Sequence, residues 1–410
     1  MAYKPYTHDV LIKNSNEILY DAEINLEQDK IVGFSSGAPG PKRFKSIVLP
    51  GLINMHSHLC FSKIKLDSQN LFSWLKDLVT ESQKPEFLPS EQVSQGIQES
   101  LSYGTTFVVE NTNYPFETSR ALIDSGIKAL MGIEIFGSDP NFAQKIFQEK
   151  IALLDSLPKD KNIFYALSPH ATYDVSALLW KFCLEWSQKN NRLLLSHISE
   201  SLAEEKWFSD HDSAESQLAK EFWASINSLE AKLDNWKKYK SSFDFLLQSN
   251  LLDSNLLLTH GVYLSEQELD LIQQYQIKLV TCPRSNEYLL NDQADIKNWQ
   301  NKKIQFALGT DSKASNHDLD LREELKHLTH DLSSQEKFEM ITIKAATMLG
   351  LDSEIGSLEQ FKSADFVVLE ILDLNNYQDL RNIDIFALAL DNKKTRVREV
   401  FVNGSLVYKF

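Results

Sequence analysis

Eight short apolar runs spread over residues 46–310 constrain this chain more than any other feature. They fall at about 46–55, 105–110, 127–136, 163–168, 192–198, 256–260, 277–282 and 304–310. Several are near-continuous, such as Leu256-Leu257-Leu258 and Leu193-Leu194-Leu195. That texture suits strands covered on both faces. Helical patterns fill the gaps, for example over 91–103, 175–188, 265–275 and 319–332. Strands alternating with helices predict a parallel sheet. Eight such units in about 300 residues fit a closed (β/α)8 TIM barrel better than its rival, an open doubly wound sheet.

The two ends read differently. Val10-Leu11-Ile12, Ile18-Leu19-Tyr20, Lys30-Ile31-Val32 and Ser46-Ile47-Val48 are short β-like pieces. The same texture returns at Asp365-Phe366-Val367-Val368-Leu369 and at Arg398–Val402. There, Asn403-Gly404 is a strong two-residue hairpin signal. The expected architecture is α/β. Residues 51–354 form the barrel, and 1–50 with 355–410 form one small β-sandwich domain. One gap is unusually long. Residues 201–250 carry Trp207, Phe208, Phe222, Trp223, Trp236, Tyr239, Phe243 and Phe245 among Lys and Glu in a helical pattern. Two readings stay open for it: a lid over the barrel mouth, or a surface helical pair packed on the barrel.

Charge narrows the partners. Lys and Arg number 42 against 57 Asp and Glu, a net charge of −15. Long-range attraction to nucleic acid or to an anionic membrane is disfavoured. No apolar run approaches the roughly 18 residues of a membrane span. The start, MAYKPYTHDV, lacks the apolar core of a signal peptide. Three cysteines (Cys60, Cys183, Cys282) are too few for a disulfide framework and fit a reducing cytoplasm. Cys60 and Cys282 read as packing residues rather than nucleophiles.

The chemistry sits at the ends of the runs. His56-Ser57-His58 follows the first. Residues i and i+2 of a strand point to one face, so both imidazoles can converge. His170, His197, His260 and Asp311 end the fourth, fifth, sixth and eighth runs. A core histidine explains any one of these; it does not explain why all fall at the same end. Barrel closure brings those ends into one mouth. Nitrogen donors with a carboxylate suit Zn²⁺ or a similar divalent ion that keeps a position open for water. Glu200, three residues past His197, is well placed to pass protons.

Pro50–His58, His197-x-x-Glu200, Thr259-His260-Gly261 and Gly309-Thr310-Asp311 together resemble the amidohydrolase superfamily, in particular its deaminase and chlorohydrolase branch. The likeness runs nearly the whole length, through Ala345–Gly350 to the Ala364-Asp365 turn. Within the branch the chain is most similar to the deaminases of aminofutalosine (6-amino-6-deoxyfutalosine), which serve menaquinone biosynthesis. That likeness lies in the 201–250 insertion, in Val280–Asn286 and in Thr310–Asn316. Ser312 and Phe361 depart from the pattern, each standing where a glycine is common.

The resemblance implies one divalent ion, Zn or Fe with Mn as a further choice, held by His56, His58, His197 and Asp311. It implies hydroxide attack on C6 of an adenine ring. Glu200 protonates the ring nitrogen, His260 orients or deprotonates the water, and Asp311 passes a proton to the departing amine. His170 would bind the ribose. Arg284 is the cation expected to meet the substrate's benzoate carboxylate, with Asn286, Trp74 and Asn113 lining the pocket. The expected partner is a small nucleoside, with a second copy of the chain as the one protein partner considered. Other purine deaminases, triazine chlorohydrolases and an inactive barrel scaffold are the alternatives.

Overall fold

The computed structural model describes residues 7–36, 44–225, 236–372 and 379–410. Its N-terminal strands are β1 (His8–Asn14), β2 (Glu17–Glu27), β3 (Lys30–Ser36) and β4 (Ser46–Pro50). Next come β5 (Leu52–Ser57), β6 (Thr105–Thr112), β7 (Lys128–Ile135), β8 (Ile163–Pro169) and β9 (Leu194–Ile198). β10 (Leu256–His260), β11 (Lys278–Thr281) and β12 (Phe306–Leu308) complete the middle. β13 (Phe366–Ile371), β14 (Thr395–Val402) and β15 (Ser405–Lys409) follow.

β5 to β12 lie side by side in chain order, each parallel to the next. The ring closes where the N–H groups of Thr310 and Asp311 both donate to the carbonyl of His56, at 3.0 and 3.1 Å. A β-carbon at Gly309 would sit 2.6 Å from that of His56, so this seam needs a bare residue. Alternation divides each strand between two cores. Leu257 packs with Phe107, Leu195, Val280 and Ala307. Leu256 and Leu258 pack with helix residues such as Trp180 and Ile272. The chain is thus a TIM barrel.

The first expected strand needs correction. Residues 46–55 are two strands, and β4 and β5 belong to different sheets. The switch occurs at Gly51, where a β-carbon would lie 2.0 Å from the Thr106 hydroxyl oxygen. The expected helix 319–332 is also too long. It is helical only over Leu321–Glu324 and the 3-10 turn Leu325–His327. A new helix, Ser334–Met340, begins after Ser333, whose side chain forms a reciprocal capping box with Glu336.

The remaining strands make one continuous seven-stranded sheet in the order β15-β14-β13-β4-β1-β2-β3. It curls so that Leu11, Val48, Phe366 and Val368 meet Ile24, Ile31 and Phe401 in a core of their own. The sandwich layer therefore comes from a single folded sheet. On the other face, Val10, Ile12, Ile47, Leu49 and Val367 share a core with Val93, Ile97 and Leu101 from the barrel's helices. Asn403 and Gly404 have φ of +50° and +69°, which fits the primed turn their sequence announces.

The long insertion is folded and anchored. Helices Leu202–Ser209, Ala214–Ser225 and Ser242–Gln248 are described, while 226–235 lie outside the described residues. All eight of its aromatics are buried. Burying each such side chain contributes roughly 1.5–3 kcal/mol, so this segment packs firmly on the barrel. Among the described residues no helix is long and apolar enough to cross a membrane.

Candidate active site

The C-terminal strand ends surround a cavity of about 510 Å³. At its base, the Nε2 atom of His197 lies 3.3 Å from Nε2 of His56 and 3.2 Å from Nε2 of His58. Asp311 Oδ1 lies 3.6 and 3.7 Å from the same two atoms of His56 and His58. A tetrahedral ion with bonds of about 2.1 Å spaces its ligands about 3.4 Å apart. Four donor atoms at these separations fit one divalent cation.

Their ionisation suits that task. Burial lowers the pKa of all three rings, that of His58 to about 3, so each is neutral at ordinary pH. Neutral imidazole is the ligating form. Burial pushes the Asp311 carboxyl up, but the facing rings of His56 and His58 outweigh it and hold the group well below the usual carboxylate range. Outer groups aim the ligands. His197 Nδ1 donates to the His170 carbonyl at 2.8 Å, which leaves Nε2 free to face the others. His56 Nδ1 is 3.2 Å from the Thr259 hydroxyl and 3.0 Å from the Asn111 amide. Ser285 and Ser315 donate to Asp311 Oδ2 at 2.6 and 3.1 Å. Ser312 is buried beside them, its hydroxyl 3.4 Å from that of Ser315.

Glu200 and His260 face each other across the cavity, with Oε2 and Nε2 3.7 Å apart. Burial, and then the charges of Asp311 and Glu204, push the Glu200 carboxyl well up, so it holds a proton to donate. Its backbone is fixed by Glu204, which accepts the N–H groups of Ser199 and Glu200 at 3.1 and 2.7 Å. His170 differs from the other rings. Burial opposes its charge, but Asp174 at 2.7 Å outweighs burial and lifts its pKa to about 9.

Two expected substrate contacts are not in the cavity. The Arg284 guanidinium bonds Asp318 at 2.8 Å and lies 3.7 Å from Glu324, away from the cavity lining. Its charge is spent on holding the neighbouring loop. Asn286 is likewise absent from the lining; its Oδ1 lies 3.0 Å from His260 Nδ1 and orients that ring. Trp74 and Asn113 do line the cavity, Trp74 with its N–H already donated to the Ala314 carbonyl. Cys60 and Cys282 are fully buried, and burial raises both thiols, as packing residues require.

The structure adds residues the sequence reading missed. Glu134 lines the cavity near the end of β7, and Asp174 pairs with His170. Extending the strand-end rule from histidines to carboxylates finds Glu134. Phe222 and Trp223 of the insertion form part of the wall, with ring centroids 4.4 Å apart. The insertion is thus both packed on the barrel and part of the site.

Residues 47–407 match the amidohydrolase family. The chain belongs to that family. It is similar to a 5′-deoxyadenosine deaminase of Methanosphaera stadtmanae, at 27% identity over 79% of this chain and 74% of that protein. It is similar to an aminodeoxyfutalosine deaminase of Nitratiruptor, at 28% identity over 88% and 86%. A solved Helicobacter pylori aminofutalosine deaminase, bound to methylthio-coformycin, superposes with a TM-score of 0.82 at 21% identity. That match covers 99% of this chain and all of the other. The amidohydrolase chain described here falls in the deaminase branch and is a hydrolase of carbon–nitrogen bonds.

Proposed function

We propose that this amidohydrolase removes the 6-amino group of adenine nucleosides altered at the 5′ position, releasing ammonia and leaving a hypoxanthine nucleoside. The observation that carries this reading is the convergence of three imidazole nitrogens and Asp311 at 3.2–3.7 Å, with Glu200 and His260 lining the same cavity. The substrate favoured by the sequence resemblance is 6-amino-6-deoxyfutalosine, yielding futalosine for menaquinone synthesis; the Nitratiruptor relative supports it. A second substrate, uncharged 5′-deoxyadenosine, is favoured by a specific observation. Arg284, the cation expected for a benzoate carboxylate, is tied to Asp318 outside the cavity.

Held by His56, His58, His197 and Asp311, a divalent ion (Zn or Fe) lowers the pKa of water toward about 7 and so supplies hydroxide at neutral pH. Glu200 donates its proton to the ring nitrogen next to C6, so charge does not build on the purine. His260, aimed by Asn286, orients the attacking water. Asp311 takes the water's proton and returns it to the leaving amine. His170, held by Asp174, binds the ribose. Three buried, unpaired cysteines support a cytoplasmic setting.

Ammonia release from 6-amino-6-deoxyfutalosine, 5′-deoxyadenosine, methylthioadenosine, S-adenosylhomocysteine and adenosine tests the reading. Zinc- or iron-loaded protein should turn over at least one 5′-altered nucleoside with kcat/KM above about 10⁴ M⁻¹s⁻¹. Metal-replete protein inert toward all five would be a scaffold rather than a deaminase.

A further inference from the structure

The three candidate metal histidines differ in what holds their outward-facing nitrogen. His56 Nδ1 lies beside Thr259 and Asn111, and His197 Nδ1 donates to the His170 carbonyl. His58 Nδ1 is buried and has no hydrogen-bond partner among the described residues. The nearest charged atom, Glu134 Oε1 at 3.9 Å, is buried and equally without a partner. The other Glu134 oxygen is taken, since Asn113 Nδ2 donates to Oε2 at 2.7 Å. The Glu134 carbonyl accepts from Lys150 Nζ at 2.6 Å, which fixes the backbone as well. Glu134 is only 2% exposed.

An imidazole that offers its Nε2 lone pair to a cation carries its proton on Nδ1. A buried N–H without an acceptor is costly, and metal-ligating histidines usually donate that proton to a carboxylate or carbonyl. We propose that Glu134 is the positioning residue for His58: its Oε1 accepts the Nδ1 proton, fixes the tautomer and turns Nε2 toward the cation. Bringing the two atoms to bonding distance needs about 1 Å of movement, a small side-chain rotation. Asn113 serves the same end by occupying Oε2 and leaving Oε1 for His58. The proposal rests on His56, His58, His197 and Asp311 being the metal ligands. A rival use of Glu134 exists, because it, His170 and His197 also bring ligand atoms within 4.8 Å of one another. That set shares His197, whose Nε2 already faces Nε2 of His56 and His58 in the first site.

The test uses metal-stripped full-length protein, with zinc affinity and stoichiometry measured against a chromogenic chelator and folding checked by circular dichroism. Wild type should bind one zinc. Glu134→Leu should bind it about 10–100-fold more weakly, and Glu134→Gln should lose less. Adding Asn113→Asp to Glu134→Gln should restore affinity, because the new carboxylate accepts from the new amide and frees the amide oxygen for His58. The visible spectrum of the cobalt form should shift in Glu134→Gln and return in the double variant. Wild-type zinc affinity in both Glu134→Leu and Glu134→Gln overturns the proposal. So does a wild type that binds two zinc ions, one of which is lost with Glu134. A wild type that binds no zinc instead overturns the assignment of the ligands themselves.

Discussion

The barrel mouth and the terminal sheet are built from similar strands, yet they treat the backbone differently. In the sheet domain, the non-glycine residues with left-handed backbone are at least partly open to solvent: Gln28, Phe361 and Asn403 in turns, and Asp21 within β2. In the mouth, Ser199, His260 and Asp311 adopt φ of +47°, +79° and +57° while buried. Such a conformation costs on the order of 1–3 kcal/mol per residue and persists only where neighbours over-determine it. Here they do. Glu204 takes the Ser199 N–H, Ile198 takes that of Gly261, and His56 takes that of Asp311. The mouth also buries carboxylates and imidazoles together, whereas the sheet buries alternating Val, Ile and Phe. The sheet follows local preference; the mouth sets it aside where side chains must be aimed at one point.

That contrast can be broken most directly at the proposed metal ligands. His56→Ala or His58→Ala should abolish zinc retention and ammonia release together, while the thermal unfolding of the metal-free protein changes far less. Stoichiometric metal in either variant, read by elemental analysis, would undo the account of the mouth. A smaller effect is expected at Glu200. Glu200→Gln keeps the shape and removes the transferable proton, so metal content should hold while kcat falls about 10²–10⁴-fold. Near-normal turnover would show that the strained segment 197–200 aims something other than a proton donor. The smallest effect lies in the sheet domain. Phe361 is 71% exposed at φ +72°, so its ring adds little packing to offset the backbone cost. Phe361→Gly should stabilise the fold by about 1 kcal/mol, raising the urea midpoint with turnover unchanged. A fall in the midpoint would mean the ring matters more than its exposure suggests.

Much of the candidate site was legible because its polar residues obey a positional rule. His56, His58, His197, His260 and Asp311 each close an apolar run, and barrel closure gathers run ends whatever the details of packing. The substrate contacts were not legible. Arg284 and Asn286 sit two residues apart on the short helix Pro283–Tyr288, and which side each faces depends on where Asp318, Glu324 and His260 arrive from elsewhere in the chain. Glu134 also lies near the end of an apolar run, so the positional rule reaches it; what that rule cannot show is which histidine it approaches. Its importance comes from the 3.9 Å between it and a histidine 76 positions earlier in the chain (134 minus 58).

Periodicity and order along the chain predicted the barrel and the shared sheet of the two termini, and placed His56, His58, His197, His260 and Asp311 at the ends of apolar runs. These follow from strand alternation and from the chemistry of single residue types, which are local properties. Only the folded molecule decided that 46–55 splits at Gly51 between two sheets, that Arg284 pairs with Asp318 outside the cavity lining, and that Glu134 comes within 3.9 Å of His58. Those outcomes depend on contacts between distant segments, whose distances and desolvation exist only once the chain has closed around them.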